Sequence, residues 1–333
     1  SEVMLTNDSH FNTNAAIAHT KRSAIIRKAL AVFETRSLGA TRLRFAHYSG
    51  SSWGDAQFIT SDTVQTSSPS VTNLGVDTSN VFLVAYRKYN EIFLRRFENG
   101  IWGNEFLISP SDTSRNYYSP EIISNSFNSN FGAAHIAFNY DSSGIARIMY
   151  AIVTSVSLDS LRINSYSRFS QSGSQSVTGF SLNYNFYPVL NFDYFTGNSK
   201  KFYSAIVKPP SAPSLIAQDE LSGDNYYGSG TSISILTDEI SQYMGISWLN
   251  KSGDTTWACC RHIGYGISRF RINNAAQEKT IAISPLMLNM SSYRLLVRIV
   301  WNDFENGRYV IKASNGTFDL GSINSANGIA DEF

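Results

Sequence analysis

A module of about fifty residues recurs along this chain, and the recurrence restricts the fold more than any other feature. Residues Asn99 to Ile123 read NGIWGNEFLISPSDTSRNYYSPEII, and Ser49 to Thr72 read SGSSWGDAQFITSDTVQTSSPSVT. Both pass from a turn through Trp-Gly into an aliphatic run, cross a Ser/Asp-rich loop and enter a further apolar strand through Ser-Pro.

Taking that Pro as a marker, Pro69, Pro120, Pro188 and Pro285 each precede a short apolar run. Thr231 to Leu236 and Ala15 to Ala18 supply equivalents without Pro. The strand after each marker is the strongest of its repeat, with β-branched and aromatic residues in short runs. These second strands are Ala29 to Phe33, Val81 to Tyr86, Ala133 to Phe138, Lys201 to Val207, Tyr243 to Trp248 and Leu295 to Trp301. Third strands follow polar turns at Arg42 to Tyr48, Glu91 to Phe97, Ala146 to Ile152, Thr256 to His262 and Arg308 to Ala313; in the fourth copy Pro209, Pro210 and Pro213 interrupt the run. Outer strands begin near Trp53, Trp102, Ile267 and Phe318.

Nowhere does a twelve-residue segment keep a clean 3.6-residue period, so the chain is expected to be all-β. Four short antiparallel strands per repeat describe the blade of a β-propeller rather than a sandwich, whose strands do not recur as a module. The expectation is one propeller domain over residues 1–333, with six blades starting near 14, 69, 120, 188, 231 and 285. A seventh blade stays open as the alternative. Residues 2–8, which align with the outer strand around Phe58, are expected to close the ring, in competition with Thr317 to Ile323 for the same edge. Two stretches depart from the repeat, Leu158 to Asn185 and Lys208 to Gly230, and are read as inserted loops. Such loops are either binding surfaces or solvated excursions.

Composition excludes several functions. With 27 basic and 26 acidic residues there is no field to draw in nucleic acid or an anionic membrane, and no apolar window is long enough for membrane insertion by a helix. The start of the chain lacks Met and a signal-like pattern, which reads as a processed N-terminus. Only two cysteines occur, the adjacent Cys259 and Cys260, so no disulfide framework is expected. The five histidines are dispersed, and no HExxH, GxSxG, Walker loop, paired CxxC or DxDxDG loop occurs. No metal, cofactor or catalytic set is therefore assigned.

The order of Trp-bearing outer strand, Ser-Pro entry and a strand ending in Tyr or Trp (SPSVTNLGVDTSNVFLVAYRK, YSPEIISNSFNSNFGAAHIAFNYD) resembles the BNR-type, sialidase-like repeats of secreted propellers. That group includes exo-sialidases, other glycosidases, fucose-binding lectins of similar blade geometry, and propellers that bind only proteins or polymers. A sialidase would need an arginine triad, a Tyr-Glu nucleophile pair and an acid Asp. Arg27, Arg87 and Arg298 lie in or beside second strands, but no complete Ser-x-Asp-x-Gly-x-x-Trp box is present, and Ser252 to Trp257 keeps only its terminal Trp. Catalytic residues do not carry over.

What the chain has in abundance is aromatic and amide surface, with 18 Tyr, 21 Phe and 5 Trp. Sugars stack their C–H faces on rings and pair their hydroxyls with amides and charged groups. Trp53 and Trp102, in equivalent positions of consecutive repeats beside Arg44 and Arg95, form the leading candidate ligand-binding set, joined by Tyr86, Trp248 and Trp257. The alternative for such rings is packing between blades. The expected protein is a secreted or surface-displayed binding propeller, extracellular or at the cell surface, with a glycan or surface polymer as ligand. Two other readings are carried with it: a sialidase-like glycoside hydrolase, and a structural or adhesion subunit of an extracellular or viral assembly with protein partners at its rim loops.

Overall fold

The computed structural model describes residues 5–6, 11–20, 28–37, 39–60, 63–74, 81–112, 114–124, 133–168, 173–182, 188–196, 199–208, 214–220, 231–237, 242–252, 255–262, 267–272, 281–289, 294–305 and 308–319. Side chains are described up to Ala205, apart from those of 37, 133, 155–156, 165–168, 181–182, 196, 199–202 and 204. All regular structure among these residues is antiparallel strand, and no helix is long and apolar enough to cross a membrane.

One compact unit comprises residues 1–177 and 209–214. Its first sheet runs β1 (Phe11–His19), β2 (Ala29–Ser37), β3 (Ala40–Tyr48) and β4 (Gln57–Phe58). The second runs β5 (Thr66–Asn73), β6 (Val81–Lys88), β7 (Glu91–Glu98) and β8 (Ile101–Leu107). In the third, β9 (Tyr117–Ser124), β10 (Ala133–Ser142), β11 (Ile145–Ser157) and β12 (Ser160–Arg168) follow the same neighbour-to-neighbour order.

The second strand of each of these sheets carries a continuous apolar run because both its faces are covered there. In β6, Phe82, Val84 and Tyr86 join Leu30, Val32, Leu43, Phe45 and Ile59 of the first sheet in one core cluster. The alternate residues Leu83 and Ala85 join Ile122, Ala134, Ile136 and Phe138 of the third sheet in another. Each fully buried side chain of this size contributes roughly 1.5–3 kcal/mol.

Polar side chains also link successive sheets. Glu34, Arg87 and Asn139 are equivalent by register, opposite Thr13, Ser67 and Tyr118 respectively. Glu34 Oε1 accepts from the Ser68 amide at 2.7 Å, and Arg87 Nη2 donates to Asn116 Oδ1 at 3.0 Å. Asn139 accepts from the Val177 amide at 3.0 Å and donates to the Gln175 carbonyl at 2.8 Å. In these three sheets the second strand thus holds the first strand of the sheet that follows, or the residue leading into it.

The Ser-Pro marker is not a strand entrance. Asn14, Ser68 and Ser119 have φ of 46°, 51° and 48°, and each sits where the pairing of its first strand slips. Ser68-Pro69 and Ser119-Pro120 are therefore the middle of β5 and β9, at a bulge, where a strand tolerates Pro and a left-handed residue.

The other unit holds residues 178–208 and 215–333, and the chain passes into it along β13 (Ser174–Leu182). Its sheets are β13 with β14 (Pro188–Thr196), β15 (Ser199–Lys208) and β16 (Ser214–Glu220); β17 (Thr231–Thr237), β18 (Gln242–Ser252), β19 (Thr255–His262) and β20 (Ile267–Ile272); and β21 (Ile281–Asn289), β22 (Arg294–Glu305) and β23 (Arg308–Asp319).

Three expectations are corrected here. Pro188 starts the second strand of the fourth sheet, not the first, and Lys201 to Val207 belong to its third strand. Leu158 to Asn185 is not an inserted loop, because it contains the outer strand β12 and the first strand β13. Likewise β16 occupies part of Lys208 to Gly230. Serine-rich composition misled this reading: β13 (SQSVTGFSL) is no more apolar than β5 (TSSPSVTN), a first strand of the same kind. Finally, among the described residues Phe318 does not begin a separate outer strand, since β23 runs unbroken against β22 with Phe318 opposite Leu295. Of residues 2–8, only Leu5 and Thr6 fall among those described.

Candidate ligand-binding site

The Asn99-Gly100 turn, with φ of 50° and 88°, folds β8 back on β7 in the sense that matches strand twist. Trp102 is thereby set opposite Phe97, and Arg95 opposite Glu105. Trp102 does not lie free on the outer strand. Its ring meets Phe97 at 4.9 Å and, edge-on, Phe45 of the first sheet at 5.1 Å. Arg95 lies 5.3 Å from the same ring. It donates from Nε and Nη2 to the Gly103 carbonyl at 3.0 and 2.8 Å, and from Nη1 to the Ile59 carbonyl at 2.5 Å.

Across from them, the outer segment of the first sheet carries Phe58 and Thr60. Phe58 is 41% exposed, and the Arg42 guanidinium stacks 3.9 Å from its ring. Arg42 Nη2 donates to the Thr60 carbonyl at 3.1 Å. Arg42, Phe58, Ile59, Thr60, Arg95 and Trp102 line a solvent-open cleft of about 580 Å³ between the outer parts of the two sheets. Two donors in its wall, Arg42 Nε and Trp102 Nε1, are buried and have no partner.

The sequence-derived candidates separate on this geometry. Trp102 and Arg95 meet in the cleft. Arg44 stands beside it, donating to the Ala56 carbonyl at 2.8 Å, with Phe58 at 5.6 Å. Trp53 lies elsewhere, bridged to Tyr48 with their rings 5.5 Å apart, so the two tryptophans do not form one repeated pocket. Tyr86 is a correction. It is fully buried in the core, its hydroxyl donates to Glu105 Oε2 at 2.5 Å, and Glu105 in turn pairs with Lys88 at 2.8 Å. No ligand reaches such a side chain. Trp248 and Trp257 belong to β18 and β19, and their side chains lie outside the described residues. Arg42, Phe58 and Thr60 were missed. An exposed Phe in a two-residue outer strand opposite a third strand reading TRLR was the available signal.

A second polar cluster gathers where β6, β9 and β10 meet. Tyr118 donates to Asp141 Oδ1 at 3.0 Å, Asn116 donates to Asp141 Oδ2 at 3.3 Å, and Arg87 donates to Asn90 and Asn116 at 3.1 and 3.0 Å. This is a Tyr-carboxylate pair near one arginine, but burial first, then the Asp141 contact, pushes the Tyr118 pKa up to about 12. A nucleophilic phenol needs the opposite shift. Arg27 and the Arg298 side chain lie outside the described residues. Among the described residues no group of three or more His, Cys, Asp or Glu is arranged to hold a metal ion.

No protein-family model matches the sequence, and no curated protein matches it. Solved structures do. The ectodomain of the parainfluenza virus 5 hemagglutinin-neuraminidase aligns with a TM-score of 0.50 at 10% identity, covering 93% of this chain and 80% of that one. The subtype N10 neuraminidase-like protein of A/little yellow-shouldered bat/Guatemala aligns at 0.49 and 10%, covering 93% and 95%. A fucose-specific lectin from Aleuria aurantia aligns at 0.43 and 10%, covering 90% and 94%. At such identities the likeness is one of fold. With the all-antiparallel sheets, it makes the chain a β-propeller in architecture.

Proposed function

We propose that this propeller binds carbohydrate, acting as a secreted or surface-displayed lectin-like protein, with the cleft between its first two sheets as the binding site. The observation that carries the reading is the composition of that cleft. An exposed Phe58 and the edge of Trp102 offer apolar faces, while Arg42, Arg95 and Thr60 set polar groups around them. Few apolar surfaces with several convergent donors suit a small, amphiphilic ligand, and a sugar ring is such a ligand, with C–H faces for the rings and hydroxyls for the donors.

The volume, about 580 Å³, accommodates one or two sugar units rather than a folded partner. A glycan array with the full chain tests the proposal. Retention of a chemically coherent group of saccharides supports it, and the absence of binding across neutral and acidic arrays refutes it.

A further inference from the structure

Among the described residues, the two cations of the cleft have no acidic partner. Elsewhere in the described residues, some basic side chains pair with acids: Lys88 with Glu105 at 2.8 Å, Arg96 with Glu98 at 2.8 Å and, in the loop before β9, Arg115 with Asp112 at 2.7 Å. Arg42 and Arg95 instead donate only to the neutral carbonyls of Thr60, Gly103 and Ile59. Among the described residues, no acidic one lines the cleft. Two guanidinium charges, one from each sheet lining the cleft, repel each other and attract counter-charge. Carbonyl hydrogen bonds fix their orientation and leave that charge uncompensated.

We infer that the cleft selects an acidic saccharide, one carrying a carboxylate or sulfate group that the Arg42 and Arg95 side chains receive. The inference rests on the carbohydrate reading and narrows it. The bond from Arg42 Nη2 to the Thr60 carbonyl fixes the plane of this guanidinium at the cleft. The stacking of Arg42 on Phe58 at 3.9 Å and of Arg95 beside Trp102 at 5.3 Å holds both charges against aromatic surface, so the acid group and the apolar ring face of one sugar are met together.

Titration calorimetry on the full chain tests this with three oligosaccharide sets of matched length: neutral glucans, oligogalacturonates and sulfated glucans. Free sulfate and free acetate serve as non-sugar probes. Binding of an acidic set at least tenfold tighter than the neutral one, weakened by added salt, supports the inference, and the two acidic sets distinguish carboxylate from sulfate. Arg42→Gln is expected to abolish the preference, and Arg42→Lys, which keeps the charge, to retain part of it. Should Arg42→Gln fail to fold, the salt dependence of the unaltered chain carries the same decision. Equal affinity for neutral and acidic sugars overturns the inference and leaves the carbohydrate reading standing. Free sulfate or acetate binding as tightly as the sugars overturns the carbohydrate reading and keeps the anion site. No binding by any probe overturns both.

Discussion

Arg95 reaches from the second sheet to the first and donates from Nη1 to the main-chain carbonyl of Ile59 at 2.5 Å. The same guanidinium grips the Gly103 carbonyl through Nε and Nη2. One side chain therefore fixes the outer strand of its own sheet and the outer segment of the preceding one, and with them both walls of the cleft. Arg95→Met keeps the aliphatic stem and loses all three bonds. It is expected to lower stability by about 1–3 kcal/mol, in the range for charge-assisted hydrogen bonds to partly buried acceptors, as read from chemical denaturation.

The Trp-Gly dipeptide occurs in both of the first two repeats, but its glycines are not equivalent in what they allow. A Cβ on Gly103 would lie 1.9 Å from the Leu158 carbonyl oxygen, in the turn between β11 and β12, whereas on Gly54 it would meet nothing closer than the His47 oxygen at 3.6 Å. Gly103→Ala forces main chain apart and is expected to cost about 1–3 kcal/mol or more. Gly54→Ala is expected to change the melting temperature little. Thermal denaturation of the two variants side by side decides the matter.

His135 is 3% exposed, stacked on Tyr150 and hydrogen-bonded to its hydroxyl through Nδ1 at 2.5 Å. Burial pushes its pKa down to about 4 from an ordinary 6.5. The folded state thus favours the neutral ring, and the unfolded chain binds the extra proton first. The stabilisation is complete above pH 6.5 and is lost as pH falls through 4, up to about 3 kcal/mol in all. His135→Gln, which does not titrate, is expected to be less stable at neutral pH and to show a flatter stability profile between pH 6.5 and 4 in urea denaturation.

Asn139 has no exposed surface and joins two sheets through its amide, accepting from the Val177 N–H and donating to the Gln175 carbonyl. Asn139→Leu leaves those two main-chain groups without this partner, at about 1–3 kcal/mol each. Asn139→Asp restores only the acceptor and is expected to fall between the two. Hydrogen exchange at Val177 should accelerate in Asn139→Leu and far less in Asn139→Asp, which keeps the acceptor for that N–H.

Much of the architecture was legible in the residues because strand burial writes itself into composition. VFLVAY reads as a strand covered on both faces, and β6 is one. Asn99-Gly100 reads as a hairpin turn, and both residues have positive φ. First strands are less legible: bulged and serine-rich, they look like loops, which is why Leu158 to Asn185 was misassigned and Pro188 placed one strand too early. The site was half legible. Trp102 and Arg95 share one hairpin, so a local repeat points to both. Phe58 and Arg42 enter only because the first sheet stacks on the second, a relationship that local pattern does not encode. Tyr86 misled because an aromatic residue near a strand end looks the same in sequence whether its hydroxyl meets a ligand or, as here, Glu105.

The most direct test of the cleft as a carbohydrate site is saccharide affinity of Phe58→Ala against the unaltered chain, measured by calorimetry with the best glycan-array hit. Phe58 is the cleft residue with an exposed ring, so its loss removes stacking surface while leaving the core clusters in place. The expected result is a loss of about 1–2 kcal/mol in binding, roughly fivefold to thirtyfold in affinity, with the melting temperature nearly unchanged. Unchanged saccharide affinity in a folded Phe58→Ala protein would contradict the account.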